Sequence, residues 1–227
     1  MVGVADIPDK QSIIVVADAA FYSWSDGHII FREPNLKKNL IWKEIHTESP
    51  GEYAHLKVQL ESQGYVIKAV ILDGKRGVRE IFRGIPVQMC QFHQIAIVRR
   101  KLTSRPKLEA ARELYGVAIQ LTKCDEEQFT KLLNDWHAKW VDFLKERTTD
   151  PMTKKWFYTH KRLRQAYASL KNNLPYLFTY LKYPELKIHN TTNSLDGYIT
   201  TLKNFLRIHR GISKEKRNKL VDQILSK

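Results

Sequence analysis

Cysteine is scarce: the 227 residues hold two, Cys90 and Cys124. Two thiols cannot build a disulfide framework, and so few of them fit a reducing compartment. No apolar run approaches the roughly 18 residues of a membrane span. The segment from Met1 to Lys10 lacks the charged-then-apolar layout of a secretory signal. These absences point to a cytoplasmic protein with no membrane partner. Acidic residues are also in short supply, 24 Asp and Glu against 38 Lys and Arg, which leaves a net charge of +14. Such an excess points to a polyanionic partner, nucleic acid first. Gly74-Lys75-Arg76-Gly77 lacks the Gly-Lys-Ser/Thr ending of a P-loop, and no Gly-x-Ser-x-Gly elbow occurs. Repeats and low-complexity tracts are missing too. What is present, 43% hydrophobic and 11% aromatic residues, is enough for a core and excludes disorder.

The first hundred residues alternate strand and helix signals. Ile13 to Ala17 is a short β-branched run without polar alternation, which predicts a strand buried on both faces and ending in Asp18. A turn at Ser25-Asp26-Gly27 leads to a second strand, His28 to Arg32, closed by Pro34, and Leu40 to Ile45 predicts a third. The short connections favour an antiparallel meander. Tyr53, Leu56 and Leu60 recur at helical spacing before Gly64. Val66 to Leu72 predicts a second central strand, ending in Asp73. A short helix from Val78 to Phe82 follows, then a fifth strand from Ile85 to Cys90 and a helix from about His93 to Leu102.

From Lys101 to His189 every signal is helical. Phe129, Leu132, Leu133, Trp136, Trp140, Phe143 and Leu144 form one stripe behind an N-cap at Asp125, Trp156, Phe157, Leu163, Tyr167 and Leu170 predict another helix, and Leu174 to Tyr180 a further one beginning beside Pro175. A last helix covers Ser194 to Ile208, with Gly211 just past its end. This order predicts an α/β fold of the ribonuclease-H-like kind: a mixed five-stranded sheet flanked by helices, with an all-helical insertion before the last helix. Residues 1–100 form the first part of the core, 101–189 the insertion, and 190–227 the final helix and tail.

Chemistry-bearing residues gather at the strand ends. If the strands ending in Asp18 and Asp73 are neighbours, two carboxylates lie side by side where ligand sites form in α/β sheets. Divalent cations relieve that repulsion with hard oxygen ligands; the plainer alternative is that each Asp opens a loop. Asp196 sits in the first turn of the last helix, a position the helix dipole alone favours. Thr200, Lys203 and Arg207 follow it on the same face, an acid succeeded by cations, which suits metal-assisted chemistry on a phosphate backbone. Cys90 and His93 raise a zinc reading, but Cys124 and scattered histidines lack the paired spacing of a four-ligand site. Trp136, Trp140 and Trp156 read as core first and as base-stacking residues second.

Asp18 in Val-Val-Ala-Asp-Ala-Ala-Phe-Tyr, Asp73 in Val-Ile-Leu-Asp-Gly, Cys90-Gln-Phe-His93 and the Thr-Asn-Ser-Leu-Asp-Gly run around Asp196 together resemble the mutator-type DDE transposases of bacterial insertion sequences. The resemblance spans about residues 12 to 212. It implies a DNA transposase catalytic domain in which Asp18, Asp73 and Asp196 hold two Mg²⁺ or Mn²⁺ ions for strand cleavage and strand transfer. It also implies support of that site by Cys90 and His93. The partners it implies are double-stranded DNA, as transposon ends and target, and further copies of the chain assembled on it, in the bacterial nucleoid. Lys75, Arg76, Lys203, Arg207 and Arg210 are the expected backbone contacts. Two departures stand out: the family's third acid is usually Glu, here Asp196, and its N-terminal DNA-binding region is missing. The alternatives are an impaired or domesticated remnant that still binds DNA, and another ribonuclease-H-like nuclease such as a junction resolvase.

Overall fold

A computed structural model of the chain describes residues 2–4, 12–208 and 211–226. The chain divides into two compact units, Met1–Cys90 with Tyr183–Lys227, and Gln91–Lys182. The first is built on a mixed sheet. Its strands are β1 (Val2–Val4), β2 (Ser12–Ser23), β3 (Asp26–Glu33) and β4 (Lys38–Ile45). After helix α1 (Pro50–Ser62) come β5 (Val66–Leu72), the short helix α2 (Val78–Ile81) and β6 (Val87–Met89). The five strands expected from the sequence lie in the order β4-β3-β2-β5-β6, and β1 adds a short sixth at the β4 edge. β2, β3 and β4 pair antiparallel, whereas β5 runs parallel to β2 and β6 parallel to β5.

Val15, Val16, Ile29, Phe31, Ile41, Val70 and Ile71 are fully buried, which is why these runs lack polar alternation. Tyr53, Leu56 and Leu60 of α1 are buried as well, and the helix packs on β3 and β4. One expectation is corrected in β2. The strand does not end at Asp18: its parallel pairing stops at Ala17↔Leu72, but its antiparallel pairing with β3 continues to Ser23↔Asp26. The turn accordingly lies at Trp24-Ser25, with Asp26 and Gly27 already in β3. Gly27 is required there by close approach, since a Cβ would lie 2.6 Å from the Ala20 carbonyl oxygen and 2.9 Å from the Phe21 ring.

The second unit contains α3 (Gln91–Leu102), α4 (Glu109–Gln120) and α5 (Glu126–Lys145). Strands β7 (Arg147–Thr149) and β8 (Trp156–Tyr158) follow, then α6 (Lys161–Leu177) and α7 (Thr179–Lys182). Asp125 caps α5 in a reciprocal box with Gln128. Trp136 is buried and donates its indole N–H to the Ala110 carbonyl at 3.0 Å, as a core residue should. The expectation of an all-helical stretch is corrected by the β7–β8 hairpin. Asp150 turns the chain there by accepting from the Met152 and Thr153 amides, and Trp156 leaves the helical stripe to lie 54% exposed beneath the Arg147 guanidinium. The unit opens with α3, a helix expected within residues 1–100 of the core.

The chain then returns to the first unit with α8 (Asn193–Ile208) and α9 (Lys214–Leu225). Leu195, Ile199, Leu202 and Leu206 form the buried stripe of α8, which packs against β2. The expected tail is corrected to a helix: α9 is capped by Ser213, and Val221 and Leu225 are buried. Among the described residues no helix is long and apolar enough to cross a membrane.

Candidate functional site at the strand ends

The register of β2 on β5 sets the site. Ala17 is paired with Leu72 as parallel neighbours, so Asp18 and Asp73 follow side by side as the two strands part. Their carboxylates are held differently. An oxygen of Asp18 accepts from the Ala19 amide at 2.7 Å, whereas Asp73 turns into its own loop and accepts from the Lys75 amide at 2.8 Å. That loop needs glycine next to Asp73: Gly74 has φ +94°, and a Cβ would lie 2.5 Å from the Met89 methyl.

Asp196 reaches the site from α8. With Leu195 and Ile199 anchoring that helix on the sheet, an oxygen of Asp196 lies within 4.8 Å of one of Asp18, and both residues are half-buried. The structure therefore brings together two acids far apart in sequence, with Asp73 directly after the end of β5. Hard oxygen ligands at that separation could close on a shared divalent cation, which would also neutralise their repulsion.

The Asp196 carboxylate is not left to choose its own rotamer. The Thr192 hydroxyl donates to it at 2.7 Å, and the Thr192 carbonyl accepts the Asp196 amide at 3.0 Å. Thr192 is fully buried, and its amide and hydroxyl both lie 3.4 Å from the Cys90 sulfur. Cys90, equally buried, is held by its amide on the Leu72 carbonyl at 2.8 Å. A continuous set of contacts thus runs from the end of β5 through Cys90 and Thr192 to Asp196. Thr192 was not singled out from the sequence, although a Thr just before an apolar helical run is an N-cap signal.

Glu48 and Tyr53 were also not foreseen. The buried Tyr53 hydroxyl donates to Glu48 at 2.9 Å. Burial first, then the negative charges of Glu48, Asp18 and Asp73, push that phenol well above its ordinary range and keep it protonated. Glu48 also binds the Lys75 ammonium at 3.1 Å, so Lys75 serves this acidic group, while Arg76 is exposed. Lys203 and Arg207 are exposed on α8, about 10 Å and 16 Å along the axis from Asp196. Arg210 lies outside the described residues. His93 is half-buried in the first turn of α3 and belongs to the second unit. Cys124 donates its thiol to the Gln120 carbonyl at 3.0 Å, and burial pushes that thiol up.

In comparisons with known proteins, no family model and no curated protein matches this chain.

Proposed function

We propose that this chain is the catalytic domain of a DDE-type DNA transposase on a ribonuclease-H-like core, with Asp18, Asp73 and Asp196 as its acidic residues. The observation that carries the reading is the approach of Asp18 and Asp196 within 4.8 Å where the parallel pairing of β2 and β5 stops. The half-buried carboxylates and their hard oxygen donors fit two Mg²⁺ or Mn²⁺ ions better than a softer metal. When bound, such ions supply Lewis acidity to an in-line phosphoryl displacement, at the attacking hydroxyl and at the leaving oxygen. The residues do the rest by positioning. Thr192 fixes the Asp196 carboxylate, α8 presents Lys203 and Arg207 to the phosphates beyond the scissile one, and no covalent intermediate is formed.

The short third acid is accommodated in this reading. Asp reaches less far than Glu by roughly 1.5 Å. The seating of α8 on β2 and the bond from Thr192 bring Asp196 close enough to Asp18 without the extra methylene. The partners proposed are transposon ends and target DNA, with further copies of the chain on that DNA, in the bacterial nucleoid.

The test is cleavage of end-labelled duplex DNA with Mg²⁺, with Mn²⁺ and with a chelator. Cutting with either metal and none with the chelator is the expected result; DNA binding without cutting under any condition would leave the remnant reading. Binding should weaken steeply with salt, as release of condensed counterions requires, and a flat salt response would point to another partner.

Thr192 provides a finer prediction. Thr192→Val removes the hydroxyl that orients Asp196 and should weaken Mn²⁺ binding about 10–100-fold, the usual cost of losing an outer partner of a metal ligand. Thr192→Ser should restore it. Calorimetric Mn²⁺ titration of the two variants checks this, and equal affinities would remove Thr192 from the site.

A further inference from the structure

The loop after Asp73 is tied to the start of α1 at two points. Glu48, in the link from β4 to α1, binds the Lys75 ammonium at 3.1 Å. The Gly77 backbone lies against Pro50, so closely that a Cβ would come within 2.9 Å of the proline ring. Between these ties the Lys75 amide donates to Oδ1 of Asp73 at 2.8 Å. The aspartate rotamer therefore follows the path of the loop. Lys75 couples the two, since its amide holds the carboxylate while its ammonium holds the loop. Glu48 is itself fixed: its side chain is only 15% exposed, and one oxygen accepts from the buried Tyr53 hydroxyl, the other from Lys75. A carboxylate with both oxygens engaged is a poor direct metal ligand and a good outer partner. The Tyr53 phenol feels the charges of Glu48, Asp18 and Asp73 together, which puts the whole group within electrostatic reach of the acids.

We propose that Lys75 is a positioning residue of the metal site: held by Glu48, it keeps the Asp73 carboxylate turned for a divalent cation, and its ammonium does not contact the DNA backbone. The sequence groups Lys75 with Arg76 as a phosphate contact, but the two stand differently. Arg76 is exposed, whereas Lys75 is half-buried and already has its anion. A move to a phosphate would leave the largely buried Glu48 carboxylate without its cation. Exchanging one anion for another then gains little over the pair already formed. The inference rests on the metal reading of Asp18, Asp73 and Asp196, and it adds the group that orients the second of them.

The test is calorimetric Mn²⁺ titration of the natural chain, Glu48→Gln, Lys75→Met, Lys75→Arg and the Glu48→Gln/Lys75→Met double variant, with urea unfolding in parallel. Charge and positioning act in opposite directions in Lys75→Met. Removing a cation near the acids tightens Mn²⁺ binding by charge alone, whereas losing the hold on Asp73 weakens it. The expected result is a weakening of about 10–100-fold in both Glu48→Gln and Lys75→Met, as for other outer partners of metal ligands. The double variant should be no weaker than either single one, because the two residues act as a unit. Lys75→Arg keeps a cation for Glu48 and should restore most of the affinity. In a chelating buffer the salt slope of duplex binding should be the same for the natural chain and Lys75→Met; a lost phosphate contact would lower it by about 1. Unchanged or tighter Mn²⁺ binding by a folded Lys75→Met variant would overturn the inference. A slope lower by about 1 would overturn it too, and return Lys75 to the DNA track. Should Glu48→Gln fail to fold, the two Lys75 variants decide alone. A natural chain that binds no Mn²⁺ defeats the metal reading and this inference with it. A natural chain that binds Mn²⁺ no better than Lys75→Met does defeats this inference alone.

Discussion

Asp18→Asn is expected to lower metal-dependent strand cleavage by at least about 10³-fold, with DNA binding in a chelating buffer unchanged or slightly tighter. The substitution keeps shape and removes the charge that faces Asp196 within 4.8 Å. Losing one anionic ligand forfeits several kcal/mol of charge stabilisation in a phosphoryl-transfer transition state, and about 4 kcal/mol corresponds to that factor. Asp196→Ala should be as severe, since Thr192 then has no carboxylate to orient. Asp196→Glu separates two accounts of the short third acid. If α8 is seated for Asp, the longer side chain overshoots, and an error near 1 Å costs roughly 10²-fold. Gel-based cleavage of labelled DNA by the natural chain and the three variants decides the matter. An inert natural chain with an active Asp196→Glu variant would make the protein a decayed enzyme. Equal cutting by all four would take both acids out of the mechanism.

Asp26→Ala is expected to cost about 1.5–3 kcal/mol of folding stability, read from urea unfolding, because it leaves the half-buried Arg217 guanidinium without its carboxylate. The pair joins α9 to the head of β3, beside the buried His28 imidazole. Trp42 adds a second tie by donating to Asp222 of α9 at 2.8 Å. Replacing Asp26 and Arg217 together by apolar residues should recover much of the loss, since no charge is then left unpaired. His28 adds a pH dependence. Burial lowers its pKa against the opposing pull of Asp222, Glu44 and Asp26, so the imidazole is neutral in the folded chain. As pH falls through the ordinary value near 6.5, the unfolded chain takes up that proton first, and stability declines on the acid side. A His28→Gln variant should show a flatter stability profile between about pH 7 and pH 5. Identical profiles would assign the acid sensitivity elsewhere.

The central strands were legible because burial on both faces leaves a plain mark. Ile13 to Ala17 and Val66 to Leu72 are rich in β-branched residues, and their parallel pairing follows from the antiparallel pair β3–β4 and the crossover helix α1 that lie between them. The end of β2 was less legible, since Asp18 looks like a terminator and only the pairing with β3 carries the strand past it. In the second unit Trp156 and Phe157 fall near helical spacing from Leu163, and strands of three residues carry too little pattern to compete with that reading. Helix α9 was hidden by its composition: five charged residues among its first six and few buried apolar positions leave no stripe. Asp18 and Asp196 could be singled out because one follows an unbroken β-branched run and the other stands in the first turn of a helix with a clear apolar stripe. The contact of Thr192 with Cys90 joins residues 102 apart, and no local pattern announces a pair at that separation. The pairing of Asp26 with Arg217 is hidden for the same reason.

The most direct measurement is Mn²⁺ binding by calorimetry, on the natural chain and on an Asp18→Asn/Asp196→Asn double variant, with unfolding followed in parallel. The account predicts saturable binding to the natural chain, loss of that binding in the double variant, and a cooperative unfolding transition in both. Saturable binding that survives the loss of both carboxylates, in a variant that remains folded, would contradict it.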